Sequence, residues 1–146
     1  MSNLKLSIII PIYNEEKTII QTLKRIKETN NNKINYETIV INDGSKDGTL
    51  DLLKSHSDLY DHLIDYNNNS GKGYAVKKGL EASTGDYIIF QDADLEYDPN
   101  DIAKFLDLID KFSPDLIIGS RFNYSNYTRS LNFLNKMGNY LITFLF

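Results

Sequence analysis

Short apolar runs, rich in β-branched residues, alternate along this chain with segments of helical period, and that alternation restricts the folds open to it. Residues 6–12 carry Ile8, Ile9 and Ile10 without interruption, which predicts a strand buried on both faces. Residues 15–27 set Ile19, Ile20, Leu23 and Ile26 on one stripe, a helix expected to be capped by Asn14 with acids in its first turn. Further strands are expected at 38–41, 62–66, 87–90 and 116–118. Helices are expected at 49–54, at 74–82 with Gly85 as its stop, and from Leu131 onward. Another opens at Pro99 and carries the stripe Ile102, Phe105, Leu106 and Ile109. Strands and helices in this order imply parallel strands joined by right-handed crossovers, hence an open, mostly parallel α/β sheet flanked by helices. With no internal repeat and no long linker, the 146 residues read as one domain, 1–146.

Composition narrows the function. Against 16 Lys and Arg stand 20 Asp and Glu, a net charge of −4, which argues against a nucleic-acid partner. The absence of cysteine excludes a disulfide scaffold, a Cys-ligated zinc and a thiol nucleophile. No apolar stretch approaches the ~18 residues of a spanning helix, and no cleavage site follows the first apolar run. A cytoplasmic location is the expectation.

Polar residues gather where these strands end. Pro11-Ile12-Tyr13-Asn14-Glu15 follows the first, Asn42-Asp43-Gly44-Ser45 the second, Asp92-Ala93-Asp94 the fourth and Gly119-Ser120-Arg121 the fifth. Any one of these is ordinary turn chemistry. Together they would meet at the carboxyl edge of a parallel sheet, where such folds bind ligands. Asp92 and Asp94, two residues apart, can point to one side and would repel each other without a cation between them. With no His or Cys nearby, all-oxygen ligands suit Mg2+ or Mn2+, with Glu96 as a third oxygen and substrate phosphates completing the shell. The competing reading is a solvated acidic turn in which Asp98 or Asn100 caps the next helix. Asp43 is an acceptor suited to the N–H edge of a nucleobase, or an Asx-turn residue. Residues 67–73 fail the phosphate-loop pattern, because Lys72 is not followed by Ser or Thr and the upstream Gly is missing. The dinucleotide fingerprint fails as well. Lys72 remains a candidate for reaching a phosphate and Arg121 for clamping one, against the alternative of surface cations. His56 and His62 have no ligand spacing and read as surface or structural.

In order and spacing, Pro11 to Glu15, Asn42-Asp43-Gly44-Ser45-Lys46-Asp47-Gly48-Thr49, Gly71-Lys72-Gly73, the run from Gly85 to Asp94, and Gly119-Ser120-Arg121 resemble the family 2 inverting glycosyltransferases. Within them the chain is most similar to the dolichyl- or polyprenyl-phosphate mannose and glucose synthases. The resemblance implies a GT-A fold, a nucleotide-sugar donor of the GDP-mannose or UDP-glucose type, a divalent metal, and hexose transfer to an acceptor such as a polyprenyl or dolichyl phosphate. Carried over by position, Pro11, Tyr13 and Glu15 line the nucleoside pocket and Asp43 reads the base. Asp92 and Asp94 match the metal and diphosphate motif, with Ala93 against the donor and Glu96 near the metal. Asp94 and Arg121 take the catalytic positions, Arg121 as a phosphate partner. Asn42 stands where many relatives carry Asp.

The chain ends at Phe146 within an apolar segment, where the resemblance implies a further, acceptor-side half. The expectation is therefore a donor-binding half, truncated on the acceptor side. Its last segment, with Arg129 and Lys136 nearby, either lies on the cytoplasmic face of a membrane or covers the sheet as an ordinary helix. Two other functions compete: a non-catalytic nucleotide-sugar-binding remnant, and a sugar-1-phosphate nucleotidyltransferase. The latter would carry a Gly- and Arg-rich loop where this chain has residues 11–15.

Overall fold

The computed structural model describes residues 4–30, 34–95 and 97–118. The chain divides into a unit of residues 1–113 and a second of residues 114–146. In the first, the order is β1 (Lys5–Ile12), α1 (Ile19–Thr29), β2 (Asn35–Asp43), α2 (Thr49–Ser55), a 3-10 turn (Ser57–Leu59), β3 (His62–Tyr66), α3 (Lys72–Ala82), β4 (Tyr87–Phe90) and α4 (Asp101–Phe112). The described sheet has the order β3-β2-β1-β4, and all its pairings are parallel. Every strand therefore ends at the same edge. The chain winds outward from β1 through β3 and returns to the other side of β1 for β4. That reversal makes a topological switch point between the carboxyl ends of β1 and β4, the place where open α/β sheets hold ligands.

The expected burial of β1 on both faces is observed: Ile8, Ile9 and Ile10 are all inaccessible to solvent. Ile9, Ile39 and Ile41 point to one face and pack with Ala75 of α3, with Ile64, Tyr66 and Ala82 around them. Strand alternation sends Ile8, Ile10 and Val40 to the other face, where they too are fully buried. The stripe Ile19, Leu23 and Ile26 of α1 is buried as its period demands.

Helix α3 lies close on the sheet because of Gly79. A Cβ there would stand 2.4 Å from Ile9 Cγ2 and 2.9 Å from Ile41 Cδ1, both on rigid buried side chains. Gly79→Ala gains up to ~1 kcal/mol of helix propensity but overpacks a close contact, at a cost of ~1–3 kcal/mol. The expected outcome is a net loss of about 1 kcal/mol, read as a lower urea midpoint at unchanged slope.

A buried polar knot sits at the opposite, amino-terminal edge of the sheet. Glu37, on β2 and 2% exposed, accepts hydrogen bonds from Lys5 Nζ, from Ser7 Oγ, and from the Thr84 backbone N–H at 2.8 Å and hydroxyl at 2.6 Å. His62 Nε2 stands 3.7 Å from it.

Several expectations are corrected. Helix α1 begins at Ile19, not at residue 15, and Asn14 is not its cap. Asn14 takes a left-handed backbone, φ +57°, because its N–H donates to Ser45 Oγ and its Oδ1 accepts the Lys46 N–H. The intervening residues form a turn on the Glu15 carbonyl. Gly85 does not stop α3, which ends at Ala82. Instead Gly85 lets the chain pass against β1, where a Cβ would lie 2.7 Å from the Ser7 backbone N. Helix α4 starts at Asp101 rather than at Pro99, after a turn in which the Asp98 carbonyl accepts the Asp101 N–H. Residues 116–118 do not form a fifth strand. An apolar run makes a strand only where a neighbouring edge supplies hydrogen bonds, and these residues join no ladder, with Leu116 and Ile118 exposed. The helix expected from Leu131, together with Glu96 and Arg121, lies outside the described residues. Among the described residues no helix is long and apolar enough to cross a membrane.

Candidate functional site

A cleft of about 330 Å3 opens at the carboxyl edge of the sheet, and Pro11, Tyr13, Glu15, Asp43, Lys72, Asp92, Ala93 and Asp94 all line it. Every candidate residue singled out from the sequence and lying among the described residues is thus brought to one place. Ile12, Asn69, Gly71 and Ala75 complete the lining. Asn69 and Ala75 carry no local sequence signal, since loop and helix reach the cleft only through the fold.

The walls are tied from below. The loops after β1 and β2 are laced together: Glu15 N–H donates to Thr49 Oγ1, Glu16 N–H to Asp47 Oδ2, and Gly48 N–H to Glu16 Oε2. Burial of the Asp47 carboxyl opposes its ionisation, but hydrogen bonds from Thr49 and the Glu16 backbone prevail and hold its pKa below the usual value. Asn42 is 1% exposed. Its amide donates to Asp65 Oδ1 at 2.8 Å while its Oδ1 accepts from Ser45. An aspartate could not donate to Asp65, which explains why an amide serves at this position. Tyr13, which also lines the cleft, is 44% exposed.

The acidic turn is placed by residues far away in sequence. Thr22 of α1 donates through Oγ1 to the Ala93 carbonyl at 3.1 Å. Gln91, 3% exposed, donates to the Asp92 carbonyl at 3.1 Å. Leu95 closes the turn in a left-handed conformation, φ +65°. Neither Thr22 nor Gln91 stands out as a binding residue in the sequence, because each acts through a backbone carbonyl. The Lys72 ammonium, at the start of α3, lies 2.6 Å from Asp92 Oδ1, so a cation already pairs with one of the two carboxylates. Among the described residues no group of three His, Asp or Glu side chains is placed to hold a metal. A divalent ion here would be held by Asp92 and Asp94, with phosphate oxygens of a ligand and water supplying the rest. That oxygen-only, ligand-dependent arrangement is the one Mg2+ and Mn2+ accept.

The model of the family described as glycosyl transferase family 2 matches residues 7–144. The chain belongs to glycosyl transferase family 2. An uncharacterized glycosyltransferase of Bacillus subtilis, YkcC, is 38% identical over 113 residues, 75% of this chain and 34% of the relative. The dolichol-phosphate mannosyltransferase of Pyrococcus furiosus is 32% identical over 135 residues, 92% of this chain and 38% of the relative. This member of glycosyl transferase family 2 thus spans roughly a third of the length of these curated relatives. Among solved structures, the mannosyltransferase PcManGT from Pyrobaculum calidifontis, in complex with GDP-Man and Mn2+, superposes with a TM-score of 0.63 at 27% identity, over 75% of this chain and 33% of that one. The four-stranded parallel sheet with its flanking helices is a GT-A fold, as the sequence resemblance implies.

Proposed function

We propose that this chain binds a nucleoside-diphosphate sugar, of the GDP-mannose or UDP-glucose type, and transfers its hexose with inversion to a polyprenyl or dolichyl phosphate. One observation carries the reading. An aromatic ring (Tyr13), a buried carboxylate (Asp43), a cation (Lys72) and the pair Asp92 and Asp94 share one cleft at the switch point of the sheet. The relatives' names and the GDP-Man and Mn2+ in PcManGT support it.

Pro11 and Tyr13 bound the nucleoside, Glu15 lies beside them, and Asp43 accepts an N–H of the base. Ala93, held by Thr22, forms the floor under the donor. Asp92 and Asp94 would hold the divalent ion, which when bound neutralises charge on the departing nucleoside diphosphate. Lys72 turns from Asp92 to the diphosphate and adds a preorganised positive charge where negative charge develops. A phosphomonoester acceptor has a second pKa of about 6, so it attacks as an anion and needs no strong general base. Beyond the described residues, Glu96 is proposed as a third metal oxygen and Arg121 as a phosphate partner. A lipid-linked acceptor would bring the chain to the cytoplasmic face of a membrane, with the apolar segment near Arg129 and Lys136 as its contact.

Calorimetry with UDP-glucose and GDP-mannose, with and without Mn2+, tests the donor reading, and formation of a lipid-linked sugar tests transfer. Metal-dependent binding of a donor is expected; heat from neither overturns the proposal. Lys72→Met gives a two-sided signature. Donor affinity should fall about tenfold, the worth of one hydrogen bond to a charged group. Mn2+ binding without nucleotide should instead tighten, because the ammonium no longer competes for Asp92. Loss of both, or of neither, contradicts the role.

A further inference from the structure

We infer that the donor nucleotide is a uridine rather than a guanosine diphosphate, because the carboxylate facing the base has no open pair of oxygens for guanine's two donors. The inference rests on the nucleotide-sugar reading above and narrows it.

Asp43 closes β2 and is 2% exposed. Its Oδ1 accepts the Ser70 N–H at 2.9 Å and its Oδ2 accepts the Gly71 N–H at 2.7 Å. Two consecutive backbone donors therefore occupy the edge on which a carboxylate accepts a pair. The loop that supplies them is anchored elsewhere. Lys46 Nζ donates to the Asn67 carbonyl at 3.0 Å, and Asn69 Oδ1 accepts from the same Gly71 N–H at 3.1 Å. The loop backbone also rests directly on Gly44, where a Cβ would come within 2.6 Å of the Asn68 carbonyl carbon. If Asp43 turned away from this loop, the Ser70 N–H would lose its carboxylate acceptor and the Gly71 N–H would keep only Asn69 Oδ1.

Guanine offers N1–H and the 2-amino group side by side, two parallel donors that suit both oxygens of one carboxylate, as a guanidinium does. In this cleft that pairing competes directly with Ser70 and Gly71. Uracil offers one donor, N3–H, between two carbonyls. Each carboxylate oxygen has a second lone-pair direction, and one such position meets N3–H while the loop stays in place. A guanine bound here leaves one donor unmet or breaks the loop, and a buried polar group without its partner discriminates strongly between ligands.

Titration calorimetry on the full chain with Mn2+ and four nucleotides tests this without any substitution. UDP should bind at least about tenfold more tightly than GDP, the size of one unmet polar group. Inosine diphosphate, which lacks the 2-amino group, should bind like GDP, because no paired acceptor exists for that group to use. UDP methylated at N3 should lose at least about tenfold relative to UDP. GDP binding as tightly as UDP, a tenfold fall from GDP to inosine diphosphate, or indifference to N3-methylation would each overturn the inference while leaving the nucleotide-sugar reading intact. Binding of none of the four would overturn that reading, and this one with it.

Discussion

Asp94→Ala abolishes metal-dependent donor binding, with affinity falling by more than about a hundredfold. The estimate follows from the proposed ligand set. Altering a residue that merely orients a metal ligand already costs 10–100-fold, and Asp92 and Asp94, two residues apart in one turn, both line the cleft. Removing one takes away half of the cleft's own aspartate pair and leaves the ion to the other aspartate and the proposed Glu96 oxygen, against which water competes well. Asp92→Ala should weaken metal-dependent binding similarly, with one difference: it also releases the Lys72 ammonium. Residual, metal-independent affinity for the diphosphate should therefore be higher in Asp92→Ala than in Asp94→Ala. Calorimetry over a Mn2+ series separates the two, and unchanged affinity in Asp94→Ala would remove the metal assignment.

The second large effect is on stability and lies at the far edge of the sheet. Burial of Glu37 would by itself raise its pKa, but hydrogen bonds from Lys5, Ser7 and Thr84 outweigh it and hold the carboxyl at about 2, below the ordinary 4.5. Because the folded-state value is depressed, the unfolded chain binds the proton first as pH falls. The stabilisation is complete above about pH 4.5 and disappears as pH drops through about 2. The difference corresponds to roughly 3 kcal/mol at neutral pH. Glu37→Gln should lose a few kcal/mol at pH 7, since the amide nitrogen meets donors where an acceptor is required. The same variant should show a much flatter stability profile between pH 5 and about 2. Urea unfolding at several pH values checks both, and parallel profiles for variant and parent would contradict the role given to the knot.

How much of this was legible in the sequence depends on whether the signal is local. Strands His62–Tyr66 and Tyr87–Phe90 form where their apolar content places them, and α2 extends only one residue beyond expectation. The convergence of residues 11–15, Asp43, Lys72 and Asp92 to Asp94 follows from strand direction alone, because in a parallel sheet whatever follows each strand is delivered to one edge. Asn14 shows where local reading stops. It is a good cap by type, but its amide is drawn to Lys46, 32 positions away. The Thr22 contact to the Ala93 carbonyl spans 71 positions, and the donors around Glu37 come from segments on either side of it. The run 116–118 has the composition of a strand but no strand pairing, and composition cannot reveal whether an edge is present to receive it.

Gly79 connects the core to the chemistry at the other end of its helix. It stands seven positions along α3 from Lys72, about 10 Å along the axis, and the bare backbone at 79 sets how low that whole rod rides over Ile9 and Ile41. A side chain inserted beneath it acts as a wedge, lifting the rod and swinging the ammonium at its tip off Asp92. A substitution with no access to the cleft is thereby converted into a change of reach at the ion pair, so tolerance at this interior glycine is bounded by ligand affinity as well as by unfolding.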